Sequence, residues 1–456
     1  MIYFLAIIAA IAGLLFGYDE GIIAVARPLL EQDMPLSPVV AGFMTAAVPL
    51  GALAGAIVAG RLTERFGRRL VLMMAAALFA VGAVAAASIG HVMELVAARL
   101  VLGLAIGIAA VVAPLYIAEA APLRSRGAMV STYQLAITFG IVASYLMGLA
   151  LDGPGMWREM FALGGLPGVV FLVGLFFLPE SPRWLMRRGR EAEARASLRR
   201  LRGNEAAVDA ELAEIAAAAH AADRPPAFAA LLAPEVKPAL IVGMGLFFLQ
   251  QLSGINAVIY YAPEIFAHAG FGSAQTQVLA TIGIGIVNFL VTILALGLID
   301  RWGRRKLLVF GFLGTAATLL VIALAVLLPD LLPSWVVILA LGLYIASFAI
   351  SLGPLPHVMM SEVFPLRIRG PGMSMASVSN WGFNFVVVFA FPLLLSTIGL
   401  AGTFSLFGVI CLGGVFFTLR RVPETNGLSL EAIERHLENG QPLGELRPTP
   451  VLARTS

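Results

Sequence analysis

The chain contains few charged residues and a single cysteine. Asp, Glu, Lys and Arg make up 12% of its 456 residues, about half of their share in soluble globular domains, which excludes an ordinary soluble fold. Cys411 is the one cysteine, so no disulfide bond can form within the chain. The sequence also lacks a nucleotide-binding loop, a cluster of metal ligands and a nucleophile with a catalytic base. We therefore expect no enzyme, no cofactor, no metal site and no nucleic-acid partner.

Apolar residues are correspondingly abundant, at 60% of the chain with a mean hydropathy of +0.93. Apolar runs such as 71–89, 101–116 and 307–328 are long enough to cross a hydrocarbon layer of about 30 Å as helices. The predicted spans lie near residues 2–26, 39–60, 70–90, 92–118, 128–151, 158–178, 237–267, 276–299, 307–328, 334–361, 371–397 and 402–420. The first run is too long and too lightly charged at its start for a cleaved signal peptide. The sequence thus predicts an all-α membrane protein with twelve transmembrane helices.

Three short motifs occur twice, once in each half of the chain. The pairs are GRLTERFGRR at 60–69 with GLIDRWGRRK at 297–306, EAAPLRSRG at 119–127 with EVFPLRIRG at 362–370, and, more weakly, PESPR at 179–183 with PETNG at 423–427. The separation between the copies is nearly constant, at roughly half of the chain. Such a parallel repeat is typical of transporters that are built from two similar halves.

The basic residues are distributed unevenly between the loops. They cluster after the even-numbered spans, whereas the opposite loops carry few bases. The clustered residues are Arg61, Arg65, Arg68, Arg69, Arg124, Arg126, Arg301, Arg304, Arg305, Lys306, Arg367 and Arg369. By the positive-inside rule, this asymmetry predicts that both termini are cytoplasmic.

The repeat and the composition divide the chain into four predicted regions. They are a six-helix bundle at 1–185, a cytoplasmic helical linker at 186–234, a second six-helix bundle at 235–421 and a cytoplasmic tail at 422–456. The linker is rich in Ala, Glu and Arg, which favour helix. Its apolar stripe consists of Leu198, Leu201, Val208, Leu212 and Ile215. In the tail, an amphipathic segment at 430–437 precedes proline-punctuated residues whose composition predicts disorder.

Motifs along nearly the whole chain resemble those of the sugar porter family of the major facilitator superfamily. They are GYDEG at 17–21, the two R-x-G-R-R loops, YIAEAAPLRSRG at 116–127, PESPRWL at 179–185, QQLSGINAVIYY at 250–261, GPLPHVMMSEVFPLRIRG at 353–370, NWGFN at 380–384 and PETNG at 423–427. Three residues depart from the family pattern: His357 stands where tryptophan is usual, Glu64 where aspartate is, and Asn426 where lysine is. The resemblance implies two pseudo-symmetric six-helix bundles that rock around a midplane sugar site. It also implies proton-coupled uptake of a monosaccharide, either a hexose or a pentose, or of a related polyol.

Amide side chains are predicted near the middle of the membrane. At about 1.5 Å of rise per residue, Gln250 lies roughly 20 Å along the seventh helix from its cytoplasmic start, and Asn384 roughly 20 Å along the eleventh. Amides both donate and accept hydrogen bonds, which suits sugar hydroxyls, although bonding between helices is an alternative role. Through the resemblance, the expected substrate-binding residues are Gln134, Gln250, Gln251, Asn256, Asn288, His357, Asn380 and Asn384. The resemblance also implies that Tyr260 and Tyr261 form the outer gate; an interfacial aromatic belt is the alternative.

Two positions in these motifs predict broken helices. Gly254 is a point where the seventh helix could break and expose backbone groups. Pro354 and Pro356 are expected to interrupt the tenth helix beside His357. Because an imidazole is smaller than an indole and carries two polar nitrogens, we expect a roomier and more polar pocket than tryptophan would leave.

Asp19 and Arg99 are charged residues within predicted spans. Counted along their helices, they lie at similar depth in the outer half of the membrane. Each alone would cost roughly 3 kcal/mol or more, whereas a pair neutralises both charges. We expect Asp19 to carry the coupled proton and Arg99 to control when it is held; a static ion pair is the alternative. Glu20 is a weaker candidate, because neighbouring side chains on a helix point about 100° apart.

Charged residues of the repeated cytoplasmic motifs predict a latch. Glu119 and Arg126 flank a helix end in the first half, as do Glu362 and Arg369 in the second. An arginine fork holds a carboxylate by two-point contacts, so charges from both halves can close the inner side in one state and part in the other. The expected set is Glu64, Arg68, Arg69, Glu119, Arg126, Glu180, Arg183, Asp300, Arg304, Arg305, Glu362, Arg369 and Glu424. Simple anchoring at the membrane surface is the alternative.

The sequence leaves two further functions open. One is passive sugar facilitation without a proton, and the other is a sensor that binds sugar without transporting it. The tail after Arg421 shows no signalling module, which disfavours the sensor. We expect the partners to be the sugar, protons and the lipid bilayer. We also expect a functional monomer in the plasma membrane, the inner membrane of a bacterium.

Overall fold

The computed structural model describes residues 1–122, 126–202, 204–221, 231, 233–234, 236–364, 368–426, 436, 443 and 446. These residues are almost entirely helical and include no β-strand. The chain divides into two compact units, Met1–Pro225 and Pro226–Ser456. Each unit carries one copy of the repeated motifs.

The first unit contains long helices followed by three short ones among its described residues. They are α1 (Ile2–Asp33), α2 (Pro38–Phe66), α3 (Arg68–Ser88), α4 (Val92–Ala120), α5 (Arg126–Ala150), α6 (Trp157–Phe176), α7 (Pro182–Arg187), α8 (Glu191–Arg202) and α9 (Glu205–Ala221). Local signals set some boundaries. Ser37 and Ser181 cap α2 and α7 with their hydroxyl groups, and a proline follows each serine.

The second unit contains eight α-helices and one π-helical turn among its described residues. They are α10 (Lys237–Leu252), α11 (Ile255–Tyr260), α12 (Ala262–His268), α13 (Ala274–Trp302), α14 (Arg304–Leu327), α15 (Trp335–Ser347), the π-helical turn Phe348–Leu352, α16 (Leu355–Val363) and α17 (Arg369–Arg421).

The described part of the chain contains eleven helical segments that are long and apolar enough to cross a membrane. The last of them, Gly370–Arg421, has 52 residues, about 78 Å of helix and more than twice the hydrocarbon thickness. Gly399 interrupts it with φ 71° and ψ 178°, so it consists of two consecutive spans. The prediction of twelve transmembrane helices is thereby confirmed.

The two units pack their spans in the same order. In the first unit, α1 packs against α5, α2 against α4, and α3 against α6. In the second unit, α10 packs against the first part of α17, α13 against α15 and the π-helical turn, and α14 against the second part of α17. Counted as spans, both units pair the first with the fifth, the second with the fourth and the third with the sixth. The duplicated motifs therefore accompany a duplicated packing scheme.

Small residues let α1 and α5 approach each other closely. A Cβ atom at Gly17 would lie 1.9 Å from the carbonyl oxygen of Ile137, and one at Gly21 would lie 1.9 Å from Ser144 Oγ. Such contacts are characteristic of helix pairs in membranes, where glycine allows backbone to pack on backbone. They fix the orientation of α1, which carries Asp19, relative to α5.

Two spans of the second unit are broken near their middle. In the seventh span, α10 ends at Leu252, Gly254 adopts φ 88°, and a further break at Tyr261 separates α11 from α12. In the tenth span, the π-helical turn and Pro354 separate α15 from α16. The predicted breaks at Gly254 and near Pro354 are confirmed. The predicted span over 237–267 also has a break at Tyr261 that was not predicted from the sequence, and Pro263 follows it in the first turn of α12.

The short helices α7, α8 and α9 share a small core of their own. It consists of Trp184, Leu185, Ala194, Leu198, Val208, Leu212 and Ile215. The apolar stripe predicted for the linker therefore does pack, with Leu201 also buried. The amphipathic segment predicted at 430–437 lies outside the described residues except for His436.

Candidate functional site

Gln250 connects the two broken spans of the second unit. Its Nε2 donates to the carbonyl oxygens of Leu352 at 2.6 Å and Gly353 at 3.2 Å. A π-helical turn departs from the regular α-helical hydrogen-bond pattern and is frequent at functional sites. The amide of Gln250 thus satisfies backbone groups at the break in the tenth span.

A chain of amides continues from Gln250. Gln251 Nε2 donates to Asn380 Oδ1 at 2.5 Å, and Asn256 Nδ2 donates to Gln251 Oε1 at 2.6 Å. Asn384, one turn beyond Asn380 on α17, is 1% exposed, and its Oδ1 has no hydrogen-bond partner among the described residues. A buried acceptor without a donor is costly, so this end of the chain of amides can receive a hydroxyl group.

Aromatic rings flank the amides. Phe247 packs edge-on against His357 with ring centroids 4.8 Å apart, and Phe248 packs against Phe383 at 4.6 Å. His357 Nδ1 lies 3.4 Å from the carbonyl oxygen of Gly353, which is also the acceptor of Gln250. The predicted position of His357 beside the break is therefore confirmed. Amide groups framed by apolar rings are the usual lining of a small-molecule pocket.

Asp19 and Arg99 form the expected ion pair inside the first unit. Arg99 Nη2 lies 3.5 Å from Asp19 Oδ2, and the two residues are 0% and 2% exposed respectively. Arg99 Nε donates to the carbonyl oxygen of Met44 at 3.0 Å, and its guanidinium lies 5.9 Å from the ring centroid of Phe161. Backbone and ring contacts hold Arg99 in place beside Asp19. A change in the charge of Asp19 therefore changes the electrostatic energy of Arg99 directly.

A second cluster of charges lies where α2 ends, α3 begins and α4 ends. Glu119 accepts from Arg68 Nη2 at 2.7 Å and from Ser181 Oγ at 2.5 Å, and Arg187 Nη2 lies 3.5 Å away. Glu180 accepts backbone N–H groups at the start of α3, including that of Arg68 at 2.9 Å. Burial raises the pKa of Glu180, although these N–H groups and Arg68 oppose the shift. Three helices of the first unit, α3, α4 and α7, are thereby joined through two carboxylates.

The second unit repeats this cluster with its own residues. Arg304 Nη2 lies 3.1 Å from Glu362 Oε1, and Thr425 Oγ1 donates to Glu362 Oε2 at 2.5 Å. Glu424 accepts the backbone N–H groups of Arg304 at 3.0 Å and Arg305 at 3.1 Å. Each unit therefore contains an arginine–glutamate ion pair next to a glutamate that accepts the first N–H groups of a helix.

Backbone conformation and steric crowding explain why glycine recurs in both R-x-G-R-R loops. Gly67 and Gly303 adopt φ 91° and φ 85°, a region that side chains rarely enter. A Cβ atom would lie 2.3 Å from Glu180 Oε2 at Gly67 and 2.7 Å from Glu424 Oε2 at Gly303. The glycine thus lets each carboxylate approach the helix N-terminus, where N–H groups and the helix dipole favour an anion.

Residues 5–437 match the family described as "Sugar (and other) transporter". The chain belongs to this family. The galactose-proton symporter of Escherichia coli K12 is 38% identical, over 98% of this chain and 96% of its own length. The D-xylose transporter of Levilactobacillus brevis is 37% identical over 98% of each chain. Among solved structures, the inward-open conformation of the xylose transporter XylE from Escherichia coli matches with a TM-score of 0.83 at 31% identity, covering 95% of this chain and 99% of that chain.

Membership of the sugar transporter family confirms both the predicted resemblance and the predicted fold. The chain has the major facilitator fold of twelve transmembrane helices, and it is an integral membrane protein. The family and the relatives named above are transporters.

Hydrogen bonds join some of the predicted site residues within the second unit of the sugar transporter. Gln250, Gln251, Asn256 and Asn380 are hydrogen-bonded to one another, with Asn384 one turn away. Asn288 on α13 and Gln134 on α5 take no part in this network, and Gln134 belongs to the first unit. Tyr260 and Tyr261 are buried. The hydroxyl of Tyr261 donates to the carbonyl oxygen of Val388 at 3.1 Å, and its ring contacts Phe391.

The structure also shows contacts for only some of the residues that are expected to form the latch. Arg69 and Arg305 donate to the backbone carbonyls of Leu175 and Leu419. Glu64 is exposed. Arg183 Nε is buried without a partner among the described residues. Arg126, Asp300 and Arg369 have side chains outside the described set, so the expected roles of these three stay predictions.

Sequence reasoning missed four polar partners in these clusters. They are Ser181, Arg187, Thr425 and Asn426. Ser181 and Thr425 occupy the same place in their motifs, directly after the glutamates of PESPR and PETNG. A hydroxyl residue at the same place in both motifs was the sequence signal that could have predicted Ser181 and Thr425 as partners.

Proposed function

We propose that this chain is a proton-coupled symporter that brings a monosaccharide into the cell by alternating access. The observation that carries proton coupling is the Asp19–Arg99 pair, a buried acid and base 3.5 Å apart within the membrane spans. Relatives of 37–38% identity over nearly the whole chain include a galactose-proton symporter and a D-xylose transporter, which supports a hexose or a pentose as the substrate.

The ion pair accounts for coupling in simple electrostatic terms. While Arg99 lies beside Asp19, its positive charge favours the carboxylate. When the two separate, burial favours the neutral acid, so Asp19 takes up a proton. A movement of α1 against α4 that parts and rejoins the pair therefore binds a proton in one state and releases it in the other.

The amide network accounts for recognition of a neutral polyhydroxylated substrate. Gln250, Gln251, Asn256, Asn380 and Asn384 offer donors and acceptors together, as sugar hydroxyls require. Gln134, Asn288 and His357 complete the proposed substrate-binding set. Tyr260 and Tyr261 are proposed as the outer gate. The amide–amide bonds seen within the second unit are the bonds that sugar hydroxyls would replace on binding.

Uptake by proteoliposomes tests the proposal directly. The purified protein is reconstituted, and accumulation of radiolabelled hexoses, pentoses and polyols is followed with and without an inward pH gradient. We expect accumulation of at least one monosaccharide that depends on the gradient. Equilibration without any effect of pH would instead indicate a passive uniporter, and binding without uptake would indicate a sensor.

Several further properties belong to the same proposal. The chain works as a monomer in the plasma membrane of a bacterium, with both termini cytoplasmic, and it catalyses no chemical reaction. Its functional regions are 1–185, 186–234, 235–421 and 422–456. The charged clusters at the cytoplasmic helix ends act as the latch of the transport cycle.

Gln250→Ala should weaken sugar binding by about 1–3 kcal/mol, because the sugar hydroxyls and the carbonyls of Leu352 and Gly353 lose a donor. This corresponds to roughly 5- to 150-fold in the dissociation constant. Isothermal calorimetry on the purified protein measures it. Gln277→Ala is the matched control, since Gln277 also donates to a backbone carbonyl, that of Phe271, outside the network. Equal affinity of Gln250→Ala and the unmodified protein would place the sugar elsewhere.

His357→Trp should narrow the range of accepted sugars. The indole is larger than the imidazole that packs against Phe247, so it fills space that bulkier substrates need. We expect the ratio of hexose to pentose uptake to fall about tenfold, the effect of a small change in pocket volume. Competition of unlabelled sugars with labelled substrate measures the ratio. The control is His268→Trp at the end of α12; unchanged preferences in His357→Trp would make His357 a packing residue.

A further inference from the structure

Glu20, the residue after Asp19 in α1, is a second carboxyl group buried within the membrane spans of the first unit. It is 3% exposed. Among the described residues, none donates a hydrogen bond to it and none forms an ion pair with it. A buried acid with no counter-charge is rare in membrane helices and marks a functional site by default.

The two neighbouring acids point toward different helices. Gly17 and Gly21 mark the face of α1 that contacts α5. At 100° per residue, Glu20 lies about 60° from the direction of Gly17, whereas Asp19 lies about 160° from it. Asp19 accordingly meets Arg99 on α4, and Glu20 lies beside the interface with α5.

Two tyrosines lie near Glu20, and no cation of the described residues pairs with it. Tyr133 and Tyr145 of α5 are close enough to interact with its charge. The Oη atom of Tyr133 is buried without a hydrogen-bond partner among the described residues. Three helices, α4, α5 and α6, pack against α1. Their titratable and charged groups are Glu94, Arg99, Tyr116, Glu119, Arg126, Tyr133, Tyr145, Arg158 and Glu159. The other such groups of α1 itself are Tyr3, Tyr18, Asp19, Arg27, Glu31 and Asp33. Of the cations, Arg99 pairs with Asp19, Arg27 with Glu31 and Arg158 with Asp33.

Charge balance determines where a proton must be. Asp19 and Glu20 are two buried acids, and Arg99 is the one cation paired with either of them among the described residues. If both acids were ionised, an uncompensated negative charge would remain within the membrane spans at a substantial cost. Since Arg99 faces Asp19, the proton of the neutral arrangement belongs to Glu20.

We propose that Glu20 is a second proton-binding site, separate from the Asp19–Arg99 pair, and that the chain moves two protons with each sugar. The proposal rests on the symport function given above. Because Glu20 is 3% exposed beside a tightly packed interface, a proton is the ligand that fits. The carboxylate takes up the proton from water on one side and returns it to water on the other. Any movement of α1 that opens Asp19 to exchange also changes the surroundings of the adjacent Glu20.

The ratio of protons to sugar tests the proposal in proteoliposomes. Steady-state accumulation of sugar is measured over a series of imposed membrane potentials, and the slope gives the number of coupled charges. We expect a ratio of two for the unmodified protein and one for Glu20→Gln, whose maximal accumulation falls about fifty-fold per 100 mV. Glu159→Gln, an exposed substitution on α6, should keep a ratio of two. Equal slopes for Glu20→Gln and the unmodified protein would overturn the proposal.

A second measurement uses the unmodified protein and does not depend on a variant folding well. Protons that enter with labelled sugar are counted with a pH-sensitive dye inside the vesicles, and we expect two for each sugar. As a separate check, Glu20→Asp keeps the carboxyl group and should have the ratio of two that Glu20→Gln loses. A ratio of one in the unmodified protein would contradict the second site and leave symport intact. A ratio of zero would contradict symport itself, so the two failures are distinguishable.

Discussion

Asp19→Asn should abolish accumulation of sugar against its gradient while leaving binding and exchange in place. The asparagine keeps the shape of the side chain beside Arg99 but cannot titrate. One coupled proton contributes about 2.3 kcal/mol per 100 mV of membrane potential, which is about fifty-fold in accumulation. The proton of Glu20 exchanges only with the movement of α1 that parts Asp19 from Arg99. Losing the titration of Asp19 therefore uncouples both protons from transport.

Two assays in the same vesicles separate coupling from transport. Counterflow, in which labelled sugar exchanges with unlabelled sugar across the membrane, should persist in Asp19→Asn, whereas uptake driven by a pH gradient should stop at equilibrium. Asp152→Asn, an exposed substitution after α5, is the matched control and should behave as the unmodified protein does. If Asp19→Asn still concentrates sugar in a pH-dependent way, the coupled proton is bound elsewhere.

The spans and the repeat could be predicted because their signals are local in the sequence. Twelve apolar runs gave twelve spans, and Gly254 and Pro354 marked breaks because each residue alters the backbone at its own position. The break at Tyr261 has a signal two residues further on. Pro263 has no N–H, and its ring clashes with the carbonyl of the preceding turn, so it fits the first turn of α12 but interrupts a longer helix. The prediction of the span over 237–267 did not use that signal.

The ion pair of the membrane interior could also be predicted, because very few charges occur there. Asp19 and Arg99 were placed at similar depth. Because an unpaired charge is costly there, an ion pair between them was the expected arrangement. The role of Glu20 could not be assigned in the same way. Its environment depends on which face of α1 meets α5, and the contacts of Gly17 and Gly21 determine that face.

The partners in the charged clusters at the helix ends were not predictable from spacing alone. The sequence suggested that Glu119 and Arg126 act together because they flank one helix end. In the structure, Glu119 meets Arg68, which precedes it by 51 positions, and Ser181, which follows it by 62. These partners meet only because α3, α4 and α7 pack at one end of the unit. The distance along the chain contains no information about that meeting.

The amide network shows the same limit. Amide composition and depth indicated a polar site, yet the acceptors of Gln250 are backbone carbonyls 102 and 103 positions away. A backbone acceptor carries no sequence signal, and a π-helical turn is not encoded by a recognisable motif. The residues of the site could therefore be named, but not the bonds between them.

Arg68→Ala should destabilise the folded protein much more than Arg304→Ala, although the two arginines occupy equivalent places in the repeat. The side chains of Arg68 and Glu119 are 4% and 10% exposed, against 11% and 22% for Arg304 and Glu362. Removing one partner of a buried pair leaves an uncompensated charge and costs about 3 kcal/mol or more. Glu362 is partly exposed, so water can solvate the carboxylate that Arg304→Ala leaves behind, and the loss should be smaller than for Arg68→Ala.

Denaturant unfolding of the purified protein in detergent micelles measures both losses. The double variant Arg68→Ala/Glu119→Gln is the decisive control, because it removes the stranded charge and should recover part of the stability lost in Arg68→Ala. Arg187, which lies 3.5 Å from Glu119 with half of its side chain exposed, limits the loss but cannot replace a buried partner. Equal destabilisation by Arg68→Ala and Arg304→Ala would mean that burial does not set the strength of these pairs. No recovery in the double variant would mean that Arg68 acts through its bond to the carbonyl of Thr63 rather than through Glu119.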